Sequence, residues 1–175
     1  MARRPGGRLV AALGSAALAC AAWSLPARSA DAPVGRVQSR APDFTRIDRS
    51  GRPLRLADYH GRIVLLNFWA SWCGPCLVEM PVFANWQRLY GSAGLQVIGV
   101  SMDDDTAAVD RYLKVHPVPY PVVMGDAELG RTYGGVYGLP VNLLIDADGR
   151  IVFRSVGAPD LDALRSRMEA AIHAR

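Results

Sequence analysis

Metal ligands are scarce in this sequence of 175 residues. Histidine occurs three times, singly and far apart, as His60, His116 and His173. Cysteine also occurs three times, as Cys20, Cys73 and Cys76. A structural zinc site needs four ligands, and the chain holds only one CxxC pair, so that reading competes poorly. Internal repeats and low-complexity segments are missing too. Long blocks of like charge are absent: Asp103-Asp104-Asp105 is the longest acidic one. The first thirty residues hold Arg3, Arg4, Arg8 and Arg28 and no acid. Without those four charges the formal net charge falls from +4 to zero. The basic pI is therefore a property of the leader, and no nucleic-acid partner is expected for the rest.

What is present is an ordinary globular composition, half of it apolar. The leader, residues 1–30, has the layout of an export signal: a positive start in "MARRPGGR", an apolar run from Leu9 to Leu25, and small residues in "PARSA" for cleavage after Ser29. The apolar run is at the lower limit for a spanning helix, so a retained membrane anchor stays open. So does lipidation at Cys20 in "ALAC". Each of these readings places the domain outside the cytoplasm. Residues 31–40, "DAPVGRVQSR", read as a flexible tether.

Beyond it, "DFTRIDRSGRPLRL" predicts two short strands around a turn at Ser50-Gly51. "IVLLNFW", Ile63 to Trp69, is an unbroken apolar run of strand length, as a buried central strand requires. Cys76 to Tyr90 predicts a helix with Leu77, Met80, Phe83 and Ala84 on one face and a kink from Pro81. A second buried strand follows over Leu95 to Met102. The next helix, capped by Asp105 or Thr106, carries the stripe Val109, Tyr112, Leu113 and His116. "PVPYPVVM" is a short strand and Asp126 to Tyr133 a brief helix. "VNLLID" and "IVFRSVG" are strands joined by a turn at Asp146 to Gly149. Asp160 caps a last helix with Leu161, Leu164, Met168 and Ile172 on one side. This alternation predicts an α/β fold with a mixed sheet flanked by helices. The acidic run Asp103 to Asp105 is expected to be a cluster at a helix N-terminus.

The chemistry concentrates at Cys73-Gly74-Pro75-Cys76, between a buried strand and the start of a helix. The free N–H groups and partial positive charge of a helix start stabilise a thiolate at Cys73. Cys76 lies one turn in, more buried, and suits a resolving role. A disulfide closing so short a loop restricts the unfolded chain little, so a purely structural role explains it poorly.

"FWASWCGPC", Phe68 to Cys76, resembles the active-site segment of thioredoxins. The longer stretch Trp72 to Pro81 is similar to the TlpA/ResA-like branch, exported bacterial thiol–disulfide oxidoreductases. The resemblance covers residues 41–175 and includes "APDF", "VIGVSMD" and "GLPVNLLIDADGRIV". It implies a thioredoxin-like fold with an N-terminal β-hairpin and a central insert near residues 105–120. It gives Glu79, three residues after Cys76, the proton-carrying role, since Asn67 stands where thioredoxins usually have a buried Asp. It makes Pro140 a cis-proline facing the cysteines, with Leu139 offering its backbone to a substrate strand. Trp72, Gly74 and Pro75 would complete the docking surface, while Trp69 belongs to the core. Val141 and Asn142 depart from the Thr that the family often has after this proline. No cofactor or metal is implied. Expected partners are disulfide-bearing exported proteins, among them apocytochrome c or copper-centre assembly proteins, and a membrane electron donor, with a membrane tether at the N-terminus left open. A disulfide oxidase using the same pair, a peroxiredoxin and a copper-binding module are the alternatives. Ala70, where a peroxiredoxin needs Thr, argues against the second.

Overall fold

A computed structural model describes residues 1–2 and 39–174. The leader and most of the expected tether lie outside the described residues. The hairpin comes first: β1 (Thr45–Ile47) pairs antiparallel with β2 (Pro53–Arg55) around the turn that the sequence predicts. Gly51 takes a left-handed φ of 83° there, which glycine adopts without strain. Asp48 locks the turn. Its buried Oδ1 accepts from Ser50 N (2.8 Å), Ser50 Oγ (2.6 Å) and Arg52 N (2.9 Å).

A 3-10 turn (Leu56–Tyr59) leads into β3 (Ile63–Trp69), then α1 (Gly74–Tyr90), β4 (Leu95–Ser101), α2 (Thr106–Val115) and β5 (Val122–Met124). There follow α3 (Ala127–Thr132), β6 (Val141–Ile145), β7 (Ile151–Val156) and α4 (Leu161–His173). The five-stranded sheet runs β5-β4-β3-β6-β7. β3 is its centre, parallel to β4 and antiparallel to β6, and all seven of its residues are buried. This explains the absence of polar alternation in its sequence.

Alternation along β3 divides the core between two faces. Ile63, Leu65 and Trp69 pack with Met80, Phe83, Ala84 and Trp86 of α1 and with Leu164 and Met168 of α4. Val64, Leu66 and Phe68 pack on the other side with Phe44, Leu54, Leu129 and Tyr133. Burying such side chains contributes about 1.5–3 kcal/mol each. Asn67 takes its turn on the α1 face, a polar group in an apolar layer.

Aspartates start three of the helices. Asp105, Asp126 and Asp160 accept backbone hydrogen bonds at the N-termini of α2, α3 and α4. The hairpin is fastened to the sheet edge, where Arg49 N donates to Val122 O at 2.7 Å.

Several expectations need correction. Ser39 and Arg40 are not free tether: Ile151 N donates to Ser39 O at 2.9 Å, and Arg40 bridges Arg150. β7 is an edge strand, and this segment satisfies part of its exposed backbone. The first helix starts at Gly74 rather than Cys76, because Cys73 itself is the cap. Pro81 lies inside this helix, as expected, and is exposed. His116 is not in the buried stripe of α2. The helix ends at Val115, and His116 is exposed with its ring against Tyr112, centroids 4.8 Å apart. The expected insert holds α2 and the loop into β5, with Val109 buried and Tyr112 and Leu113 packed beside it. Among the described residues, no helix is long and apolar enough to cross a membrane.

Candidate active site

β3 delivers the chain to the site. After Trp69, three residues lead to Cys73 at the N-cap of α1. Cys73 N donates to Ala70 O at 3.1 Å, which turns the chain, and Pro75 lies in the first turn, where its missing N–H costs nothing. Cys73 and Cys76 form a disulfide, with Cα atoms 5.3 Å apart. Cys73 Sγ accepts from Cys76 N at 3.3 Å, so the helix start contributes a donor to this sulfur. Cys76 is fully buried and Cys73 nearly so. Trp72, beside them, is 71 % exposed, and Gly74 and Pro75 are exposed as well. Trp69 is fully buried, as its core role requires.

The Leu139-Pro140 peptide bond is cis. The register explains its place. Val141 pairs with Phe68, so Pro140 lies beside the end of β3 that leads to the cysteines. Leu139 packs against the cluster that contains Cys73 and Cys76. Pro140 O accepts from Gly157 N at 2.8 Å, whereas no backbone hydrogen bond joins Leu139 to another described residue.

Glu79 is one turn beyond Cys76 on the buried face of α1, only 2 % exposed. Burial penalises its charge and pushes its pKa up to about 7; a hydrogen bond from Asn142 opposes that rise. Asn142 Nδ2 donates to Glu79 Oε2 at 3.0 Å, and Asn67 Nδ2 donates to Asn142 Oδ1 at 2.8 Å. The two asparagines are direct cross-strand partners of β3 and β6. Sequence reasoning treats Asn142 only as a departure from the family pattern. The signal was there in two Asn residues, each alone in a buried apolar strand.

Asp103 corrects a second expectation. It is not part of a cluster at the start of α2; only Asp105 caps that helix. Asp103 is buried and faces the loop before Cys73. Its Oδ2 accepts from Ser71 N (2.9 Å) and Ser101 Oγ (2.7 Å), and its Oδ1 from Ser71 Oγ (2.6 Å). A carboxylate thus braces the residue next to Trp72, using charge-assisted bonds stronger than neutral ones.

The geometry is that of a reversible dithiol: a disulfide at a helix start, an exposed aromatic beside it and a buried carboxyl one turn behind. The family model for Redoxin matches residues 36–172. The chain belongs to the Redoxin family. Among its relatives is the thiol–disulfide oxidoreductase ResA of Bacillus thuringiensis subsp. konkukian, 35% identical over 117 residues, which cover 66% of this chain and 67% of that one. The ResA of Geobacillus thermodenitrificans is 31% identical over 134 residues, 77% of each chain. A crystal structure from Chlorobium tepidum, assigned as a thiol:disulfide interchange protein DsbE, superposes with a TM-score of 0.72 at 35% identity. It covers 77% of this chain and 96% of that one. This redoxin is therefore a ResA-like thiol–disulfide oxidoreductase with a thioredoxin-like fold.

Proposed function

We propose that the protein is an exported reductase that keeps disulfides of other exported proteins open. Thiolate Cys73 attacks a substrate disulfide and forms a mixed disulfide, releasing one substrate thiolate. Cys76 then attacks Cys73 Sγ, releasing the second and closing the Cys73–Cys76 bond. Glu79 exchanges the proton of Cys76. Trp72, Gly74 and Pro75 receive the substrate, and the backbone of Leu139, ahead of Pro140, pairs with it as an added strand. The observation that carries this reading is the buried Glu79 one turn behind a cysteine pair at a helix start. Its raised pKa lies near neutral pH, where proton exchange is most effective.

The leader supports a location in the periplasm, with the N-terminus cleaved, lipidated or retained as a tether. Reduction in that oxidising compartment draws electrons from a membrane donor. Suitable substrates are apocytochrome c, whose haem-attachment cysteines must be reduced, and copper-centre assembly proteins.

The test is equilibration of the purified chain against graded glutathione buffers, with thiols trapped and counted. A potential near or below about −250 mV supports a reductase. A potential near about −120 mV marks an oxidase and reverses the proposed electron flow.

A further inference from the structure

The buried amides form a directional chain. An ionised carboxylate only accepts hydrogen bonds, so Asn142 must turn its NH₂ group toward Glu79. Its oxygen then faces Asn67, which must answer with its own NH₂ group. The observed bonds follow this polarity, from Asn67 Nδ2 to Asn142 Oδ1 and from Asn142 Nδ2 to Glu79 Oε2. Protonation breaks the symmetry of the carboxyl. A proton on Oε2 would set a donor against the donor of Asn142, whereas Oε1 is buried with no hydrogen-bond partner among the described residues. Glu79 lies one turn after Cys76 on the same buried face of α1.

We infer that Asn142 is a positioning residue that occupies Glu79 Oε2 and so assigns the proton exchanged with Cys76 to Oε1. The inference rests on the proton-carrying role proposed for Glu79. In the resolving step the Cys76 S–H bond breaks and its proton moves to Oε1. The electron pair left on sulfur forms the bond to Cys73 Sγ, and the bond from Cys73 to the substrate sulfur breaks with its pair on the leaving thiolate. The enzyme loses two electrons and the substrate gains them. The proton then passes from Oε1 to the leaving thiolate or to water. Glu79 meets no opposing charge in this environment. Asn67 of β3 and Asn142 of β6 are neutral, the other titratable groups of α1 and its cap are Cys73, Cys76, Arg88 and Tyr90, and burial and the Asn142 bond are what act on the carboxyl.

The test is ¹³C NMR titration of the Glu79 carboxyl in the full chain with the disulfide closed, so that neither cysteine titrates. It is paired with the pH profile of the resolving step in the reduced chain. Asn142→Leu keeps the size and removes the donor. The carboxyl pKa should rise by about one pH unit or more, with the resolving profile moving up by the same amount and the rate at neutral pH falling about tenfold. Asn142→Asp should raise it further, through like charge. Asn67→Leu leaves both partners in place but frees Asn142 to turn, and should give a smaller shift in the same direction. It also serves as the test if the Asn142 variants fail to fold. Unchanged carboxyl titration in the folded variants overturns the inference, because a merely structural role would lower stability without moving it. If Glu79→Gln leaves the resolving profile unaltered, the proton-carrying role fails instead, and the two failures are separable.

Discussion

Replacing Glu79 with Gln should make the protein more stable, in a way that depends on pH. Glu79 is almost fully buried, and burial raises its pKa from 4.5 to about 7. In the folded state the carboxyl keeps its proton up to about pH 7; in the unfolded chain it loses the proton near 4.5. Between these values the folded state binds more protons, so its stability falls as pH rises and levels off above about pH 7. Each pH unit of that window costs about 1.4 kcal/mol, so the loss at pH 8 is on the order of 3 kcal/mol. Gln cannot ionise, yet it still offers an oxygen to Asn142 Nδ2, so it resembles the protonated acid. The assay is urea unfolding of the disulfide form at several pH values from 4 to 8, comparing Glu79→Gln with the parent. The two should match near pH 4, and the variant should be more stable by about 3 kcal/mol at pH 8. A difference that stays constant across this range would refute the buried, proton-retaining carboxyl.

Three further outcomes follow from other parts of the structure. Asp103→Ala removes three hydrogen bonds that hold Ser71 and Ser101, and should lower unfolding free energy by about 3 kcal/mol in the same assay. Trp72→Ala should leave unfolding free energy within about 0.5 kcal/mol, since the ring is mostly exposed, while raising KM for a disulfide-bearing protein in a turnover assay. Arg49→Ala breaks a two-bond ion pair with Asp110 that is partly open to water. Its cost should be below about 1 kcal/mol and should shrink when unfolding is repeated in high salt.

Much of this architecture was legible because it rests on local pattern. The apolar run of β3 declares a strand buried on both faces, and Asp105, Asp126 and Asp160 fix helix starts through contacts two or three residues away. The CxxC before a helical pattern marks the redox pair, although the helix starts two residues earlier than expected because Cys73 is its cap. What the sequence hid are side-chain bonds between distant positions. Asp103 looks like its acidic neighbours until β4 is set beside β3, which brings it to Ser71, 32 residues away. Asn142 reads as an oddity until the antiparallel register places it opposite Asn67 and over Glu79. His116 failed for the opposite reason: its spacing fits the α2 stripe, but the helix ends one residue earlier. The pairing of Ser39 and Arg40 with β7 depended on which strand became the sheet edge.

The central claim is that Cys73 and Cys76 work as a redox couple in which Cys73 attacks and Cys76 resolves. Its most direct test is mixed-disulfide trapping with the single variants Cys73→Ser and Cys76→Ser, each reduced and mixed with a disulfide-bearing protein, with adducts located by mass spectrometry. Cys76→Ser should accumulate a stable adduct on Cys73, and Cys73→Ser should form little or none, because the remaining sulfur is fully buried. Equal adducts on both variants, or adducts mainly on Cys76, would contradict the assignment of the two cysteines.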